Sequence, residues 1–228
     1  MSTAATPGAL PAPRPYAVRV DATLQVPLSR WLWLVKWVLV IPHLVVLAFL
    51  WLGFVVAALA ALVAIVVTGR YPRPLFDYNL GVLRWTWRVA YYSEGGFGTD
   101  RYPPFSLGEV PDYPARLDVE YPERLSHGLV LVKWLIGLPH YIIVGIFVGG
   151  SWLALQHSWV SLGGGLVGLL AVVAAVVLAV TGRYPSSLFD LIIGLDRWVL
   201  RVAAYAALMT DTYPPFRLDT GGHEPPLG

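Results

Sequence analysis

The stretch WLWLVKWVLVIPHLVVLAFLWLGFVVAALAALVAIVVTGRYP, from Trp31 to Pro72, decides how this chain is read. From Trp31 to Val67, 37 residues, the only charged or histidine side chains are Lys36 and His43. A run so long and so apolar meets the criterion for a membrane span. As one helix it would measure about 55 Å against a hydrocarbon core of about 30 Å. Two crossings with a tight turn near Gly53 fit that thickness better. The Gly-Arg-Tyr-Pro that closes the stretch is turn chemistry.

The stretch recurs. Tyr16, Arg19, Asp21, Leu28-Ser29, Lys36-Trp37 and Pro42-His43 return as Tyr113, Arg116, Asp118, Leu125-Ser126, Lys133-Trp134 and Pro139-His140, at a constant offset of 97. Thr68-Gly69-Arg70-Tyr71-Pro72, Leu75-Phe76-Asp77 and Arg84-Trp85 return as Thr181-Gly182-Arg183-Tyr184-Pro185, Leu188-Phe189-Asp190 and Arg197-Trp198, at an offset of 113. Each half closes on Tyr-Pro-Pro-Phe, at Tyr102 and Tyr213. Ordered identities of this density define a tandem repeat. The 16 extra residues of the second copy include Gly149-Gly150-Ser151 and Gly163-Gly164-Gly165, which read as a loop. A hairpin turn accommodates such an insertion more readily than the middle of a helix.

These readings predict four membrane helices, near 31–51, 53–68, 128–148 and 160–181. The 16 Lys and Arg avoid both predicted turns. Two hairpins therefore put all basic residues on one side, which the positive-inside rule makes cytoplasmic. The expectation is a multi-pass protein of the inner (plasma) membrane with both termini cytoplasmic. Its halves would be parallel repeats about an axis along the membrane normal.

Ahead of each hairpin, apolar residues alternate with polar ones: Tyr16, Val18, Val20 and Ala22, then Tyr113, Ala115, Leu117 and Val119. Period two predicts half-buried strands, which need a pairing partner. After each hairpin, Leu80, Leu83, Trp87 and Tyr91 recur at helical spacing, with Arg84 and Arg88 on a neighbouring stripe; Arg197 and Arg201 repeat them. That pattern predicts amphipathic helices lying in the interface with their arginines among headgroups. Asp77 and Asp190 stand where an N-cap is expected.

The fold class is thus an all-α membrane protein with minor β. Residues 1–15 form a disordered tail. Repeat 1 spans 16–107, with its hairpin at 31–68 and interfacial helix at 77–92. Repeat 2 spans 108–218, with its hairpin at 128–181 and interfacial helix at 190–207. Residues 219–228 form a second tail.

The combined pattern, Lys-Trp-x4-Pro-His, Thr-Gly-Arg-Tyr-Pro-x2-Leu-Phe-Asp, Gly-x2-Arg-Trp-x2-Arg-Val and Tyr-Pro-Pro-Phe, resembles the domain of unknown function 4389 family of prokaryotic integral membrane proteins. The pattern occurs twice and covers nearly the whole chain after the tail. The resemblance implies the architecture and no particular activity. One departure is Asp196, a charge in the second amphipathic helix where the first copy has Leu83.

Candidate sites are few. There is no cysteine, so thiolate metal sites and cysteine nucleophiles are excluded. Ser29 and Ser126 have no base partner in the pattern, and phosphate loops and zinc spacings are missing. His43 and His140, each after a proline and deep in an apolar run, are the pair able to ligate haem or a metal; the plainer reading bonds each to a backbone carbonyl freed by its proline. Lys36 and Lys133 either snorkel or join Arg70, Arg73 and Arg183 in a pocket for an anionic lipid headgroup, with Arg84, Arg88, Arg197 and Arg201 on the same basic face.

The leading expectation is a non-enzymatic membrane scaffold or accessory subunit. It would bind anionic lipid at its cytoplasmic face and associate with itself or with other membrane proteins, without nucleic acid and without a cofactor. The alternatives are an oligomeric small transporter or channel, and a haem-binding electron-transfer subunit using His43 and His140. The first of these is weakened by the lack of Asp or Glu in the apolar runs.

Overall fold

The computed structural model describes residues 16–149 and 165–223. The expected tail at 1–15, the glycine-rich insertion around 150–164 and residues 224–228 lie outside the described residues.

Alternation makes the two strands and pairs them. β1 (Val18–Ala22) and β2 (Ala115–Val119) run antiparallel, with Val18 opposite Val119, Val20 opposite Leu117 and Ala22 opposite Ala115. The apolar side chains of both strands are buried. Val20 and Leu117 are repeat equivalents, and they face each other. Each remaining pair maps onto another pair under the repeat, and so do the flanking bonds Glu120 N to Ala17 O and Thr23 N to Pro114 O. A local twofold therefore relates the strands.

The helices are α1 (Leu32–Leu39), α2 (Ile41–Thr68) and α3 (Arg73–Tyr92) in the first copy, then α4 (Leu129–Ile136), α5 (Leu138–Gly149), α6 (Gly165–Thr181) and α7 (Ser186–Ala206) in the second. The chain is thus mostly helical with a small two-stranded sheet. Of the described helices, α2 is long and apolar enough to cross a membrane; α4 and α5 together make a second candidate, bent by 48°.

The expected turn at Gly53 does not form. Helix α2 runs unbroken for 28 residues, and the break falls at Val40, just ahead of Pro42. Glycine costs a helix only about 1 kcal/mol relative to alanine, whereas proline fits the first turn, where its missing N–H is not needed. Gly53 has a packing role instead, since a Cβ there would collide with the Tyr78 hydroxyl, which donates to Leu50 O at 2.9 Å. By the two repeat offsets, Gly149 and Gly165 both correspond to Leu52. The insertion therefore enters the second copy where the first has continuous helix.

Helix α2 is apolar all round in sequence but one-sided in packing. Phe49, Leu52, Val56, Val63 and Val67 are each more than 60% exposed and lie along one line at 100° per residue. His43, Leu47, Phe54, Ala61 and Ile65 are buried on the opposite line. The small residues Ala57 and Ala61, and Gly168, Ala171 and Ala175 of α6, are also buried. They permit close packing.

Helices α3 and α7 are not the bilayer-facing helices expected. Their aromatic faces are covered by protein: Trp85, Trp87 and Tyr91 are buried, as are Phe189 and Tyr205. Both helices also start four residues before the expected 77 and 190. Pro72 and Pro185 precede the first helical residue, with no side-chain cap. Asp77 and Asp190 therefore sit at the fifth helical position rather than at an N-cap, and Asp77 pairs with Arg73 one turn back at 3.1 Å. In α3 Pro74 stands in the first turn, where its missing N–H needs no acceptor.

Residues 219–223, expected in the tail, are bonded into the fold. Ala22 N donates to Gly222 O at 2.7 Å, and Gly221 N to Asp190 O at 3.1 Å. Both ends of the described chain thus meet at β1.

Candidate functional site

The lysines expected to reach headgroups are buried. Lys36 donates to Thr99 O at 2.6 Å and pairs with Asp100 at 3.0 Å. Lys133 donates to Thr210 O at 2.8 Å and pairs with Asp211 at 2.8 Å. Each carboxylate also accepts a backbone N–H, Ser29 at 2.6 Å and Ser126 at 2.8 Å. Tyr92 and Tyr205 offer ring faces at 4.8 and 5.1 Å. A cation taken out of water needs a paired anion, and each copy supplies one. Asp100 and Asp211 escaped the sequence reading, yet Thr-Asp-x-Tyr-Pro-Pro-Phe is itself a repeated string.

Three of the four amphipathic-helix arginines are also buried, and all four clamp other segments. Arg84 Nε donates to Leu117 O at 2.9 Å, and its repeat equivalent Arg197 donates to Val20 O at 3.1 Å. Each copy's arginine thus holds the other copy's strand. Arg84 adds Asp118 at 2.8 Å. Arg88 binds the carbonyls of Gly108, at 2.9 Å, and Ser106. Arg201 pairs with Asp219 at 2.7 Å. These guanidinium groups thus bond carbonyls and carboxylates of the chain itself.

His43 and His140 occupy two separate, matching sites. His43 Nδ1 accepts from Trp85 Nε1 at 3.0 Å, and the ring stacks on Phe105 at 3.9 Å between centroids. His140 Nδ1 accepts from Trp198 Nε1 at 3.0 Å and stacks on Phe216 at 4.1 Å. Both rings are fully buried. Among the described residues neither Nε2 has a hydrogen-bond partner. The Tyr-Pro-Pro-Phe segment is therefore the lid of each histidine. Among the described residues no group of three or more metal-ligating side chains converges.

The exposed basic groups gather elsewhere. At the end of α2, Gly69 adopts φ +67°, the left-handed helix stop that glycine permits. Its carbonyl accepts from Leu125 N at 2.8 Å. A Cβ on Gly69 would stand 2.8 Å from His127 Nε2, so the histidine sits directly over the turn. His127 Nδ1 lies 2.7 Å from Val66 O, which leaves Nε2 facing outward from that bond. Around them Thr68, Gly69, Arg70, Arg124, Leu125 and His127 line a cavity of about 480 Å³. Arg70 and Arg124 are exposed and have no ion pair among the described residues. In the other copy Gly182, at φ +73°, is crowded by Arg30, the repeat equivalent of His127, beside exposed Arg183. Each junction joins the turn of one copy to the helix start of the other. Of the sequence-predicted basic residues, then, Arg70 and Arg183 stay exposed at junctions, while Arg30, Arg124 and His127 are additions.

Two interlocked copies of one helical unit, exchanging arginine clamps across a two-stranded sheet, define a tandem-repeat protein with an exposed apolar helical face. The chain belongs to the family described as Domain of unknown function (DUF4389), whose family model matches residues 30–106 and 151–217. No curated protein and no solved structure matches it.

Proposed function

We propose that this protein is a membrane-embedded, non-enzymatic scaffold or accessory subunit that holds an anionic lipid headgroup at the Gly-Arg junctions. The observation that carries the reading is the cavity of about 480 Å³ formed by Arg70, Arg124 and His127 at the end of α2. It adjoins Val67, the last residue of the exposed apolar stripe. A lipid engages both features at once, with its chains along the stripe and its phosphate at the arginines. Each basic group near an anionic surface contributes about 1 kcal/mol.

In this reading α1, α2, α4, α5 and α6 form the bilayer layer, and the sheet with α3 and α7 forms the cytoplasmic layer. The bond between Ala22 and Gly222 supports placing both ends of the described chain on that one side. The count of four crossings loses its first turn with the continuity of α2, so the apolar stripe, not the count, supports membrane embedding.

Lipid mass spectrometry of the protein purified in mild detergent tests the proposal. Wild type is expected to retain acidic over zwitterionic phospholipid, and Arg70→Ala/Arg124→Ala to lose that preference. Equal recovery of both lipid classes from wild type would overturn it.

A further inference from the structure

A second cavity, of about 190 Å³, lies where α3 meets α5, α6 and α7. Trp87, Val148, Val167 and Leu200 give it apolar walls, and two carboxyl groups, Glu94 and Asp196, stand in it. No Lys or Arg is among its described lining residues. Asp196 is only 7% exposed, and its Oδ2 has no hydrogen-bond partner among the described residues. Buried polar atoms normally find partners, so an unpartnered carboxylate oxygen here calls for a ligand or a cost. Burial, and then the neighbouring Glu94 charge, push the Asp196 carboxyl well above the usual carboxylate range. Burial raises Glu94 as well.

The fold does not need this acid. Leu83 fills the matching position of the first copy, where it is buried in the core. The carboxyl is an addition to one copy, and it breaks the twofold at the boundary between the repeats.

We propose that this cavity binds a small lipophilic ammonium ion, an alkyl or arylalkyl amine. Its cationic nitrogen lies against Asp196 and Glu94, and its apolar body lies on Trp87, Val167 and Leu200. An ammonium supplies the counter-charge that the buried Asp196 carboxyl lacks. The volume is below the roughly 300 Å³ of drug-sized sites, so the ligand is small. A phospholipid headgroup is disfavoured, because its phosphate would lie beside the carboxylates. The inference does not depend on the lipid site.

The test uses the full chain in detergent, with hexylammonium chloride and 1-hexanol as matched probes, followed by calorimetry and tryptophan fluorescence. Saturable binding of hexylammonium is expected, at least about tenfold tighter than hexanol, as a charged hydrogen bond warrants. Asp196→Leu installs the residue of the other copy and is expected to fold and to lose the discrimination. Asp196→Asn, nearly isosteric, serves should the leucine variant not fold, and Glu94→Gln is expected to weaken hexylammonium alone. Equal affinity for the two probes in wild type, or discrimination surviving in the Asp196 variants, would overturn the proposal.

Discussion

The indole N–H of Trp85 donates to Nδ1 of His43 at 3.0 Å, and Trp198 repeats the bond to His140 at the same distance. Indole only donates, so Nδ1 must accept, and a neutral imidazole then carries its proton on Nε2. That tautomer leaves neither nitrogen with a lone pair for iron. The histidines also lie in two separate aromatic sites, His43 with Phe105 and His140 with Phe216. Replacing Trp85 by Phe removes the donor and strands Nδ1 in an apolar site. The expected cost is about 1–3 kcal/mol, with a shift of His43 away from the Nε2–H form in nitrogen NMR. An unchanged His43 spectrum in that variant would show that the bond does not set the tautomer.

The lysine pairs are expected to behave as buried ion pairs. Lys36 has a side chain only 2% exposed, with Asp100 28% exposed beside it. Asp100→Ala leaves a buried ammonium with one carbonyl and no anion, and is expected to cost about 3 kcal/mol. Lys36→Met/Asp100→Ala removes both charges and is expected to recover most of that loss, because the desolvation penalty goes with the cation. Denaturant unfolding in detergent measures both. A double variant no more stable than Asp100→Ala would place the energy in the carboxylate's backbone bond to Ser29 instead.

Asp196 gives stability a pH slope of definite sign. Its carboxyl titrates higher in the fold than in the unfolded chain, through burial and then Glu94. Between those two values the native state keeps a proton that the unfolded state has released, so stability falls as pH rises. The fall begins near the ordinary carboxylate value of about 4 and ends once the raised value is passed. Asp196→Asn is expected to lose this slope, and the gap in Tm between variant and wild type should widen as pH rises. Parallel Tm curves would mean that Asp196 is not buried as an acid.

Much of the architecture was legible in the chain itself. The constant offset between copies, the alternation at Val18–Ala22 and Ala115–Val119, and the helical spacing from Leu80 to Tyr91 are local regularities. Each follows from a short-range period that any one segment carries. The break in the first apolar run was not legible in the same way. Gly53 reads as a turn because the second copy carries an insertion there and because one helix exceeds the hydrocarbon thickness. Glycine tolerates a helix interior, however, and the Tyr78 hydroxyl uses the space that its missing side chain leaves.

What the sequence determined by itself was therefore periodic: two copies, two strands, apolar helical runs, and arginines and lysines at fixed repeat positions. What only the tertiary structure decided was the partner of each charge. Lys36 meets Thr99 O across 63 residues of intervening numbering and Arg197 meets Val20 O across 177, with the second contact crossing from one copy to the other. A side chain's type limits whom it can bond. Its neighbours depend on how distant segments pack, and charges expected at headgroups were taken up by carboxylates and carbonyls that folding brought closer. Arg70 and Arg124 remain exposed because the turn at Gly69 holds them at the edge of that packing, at the end of α2.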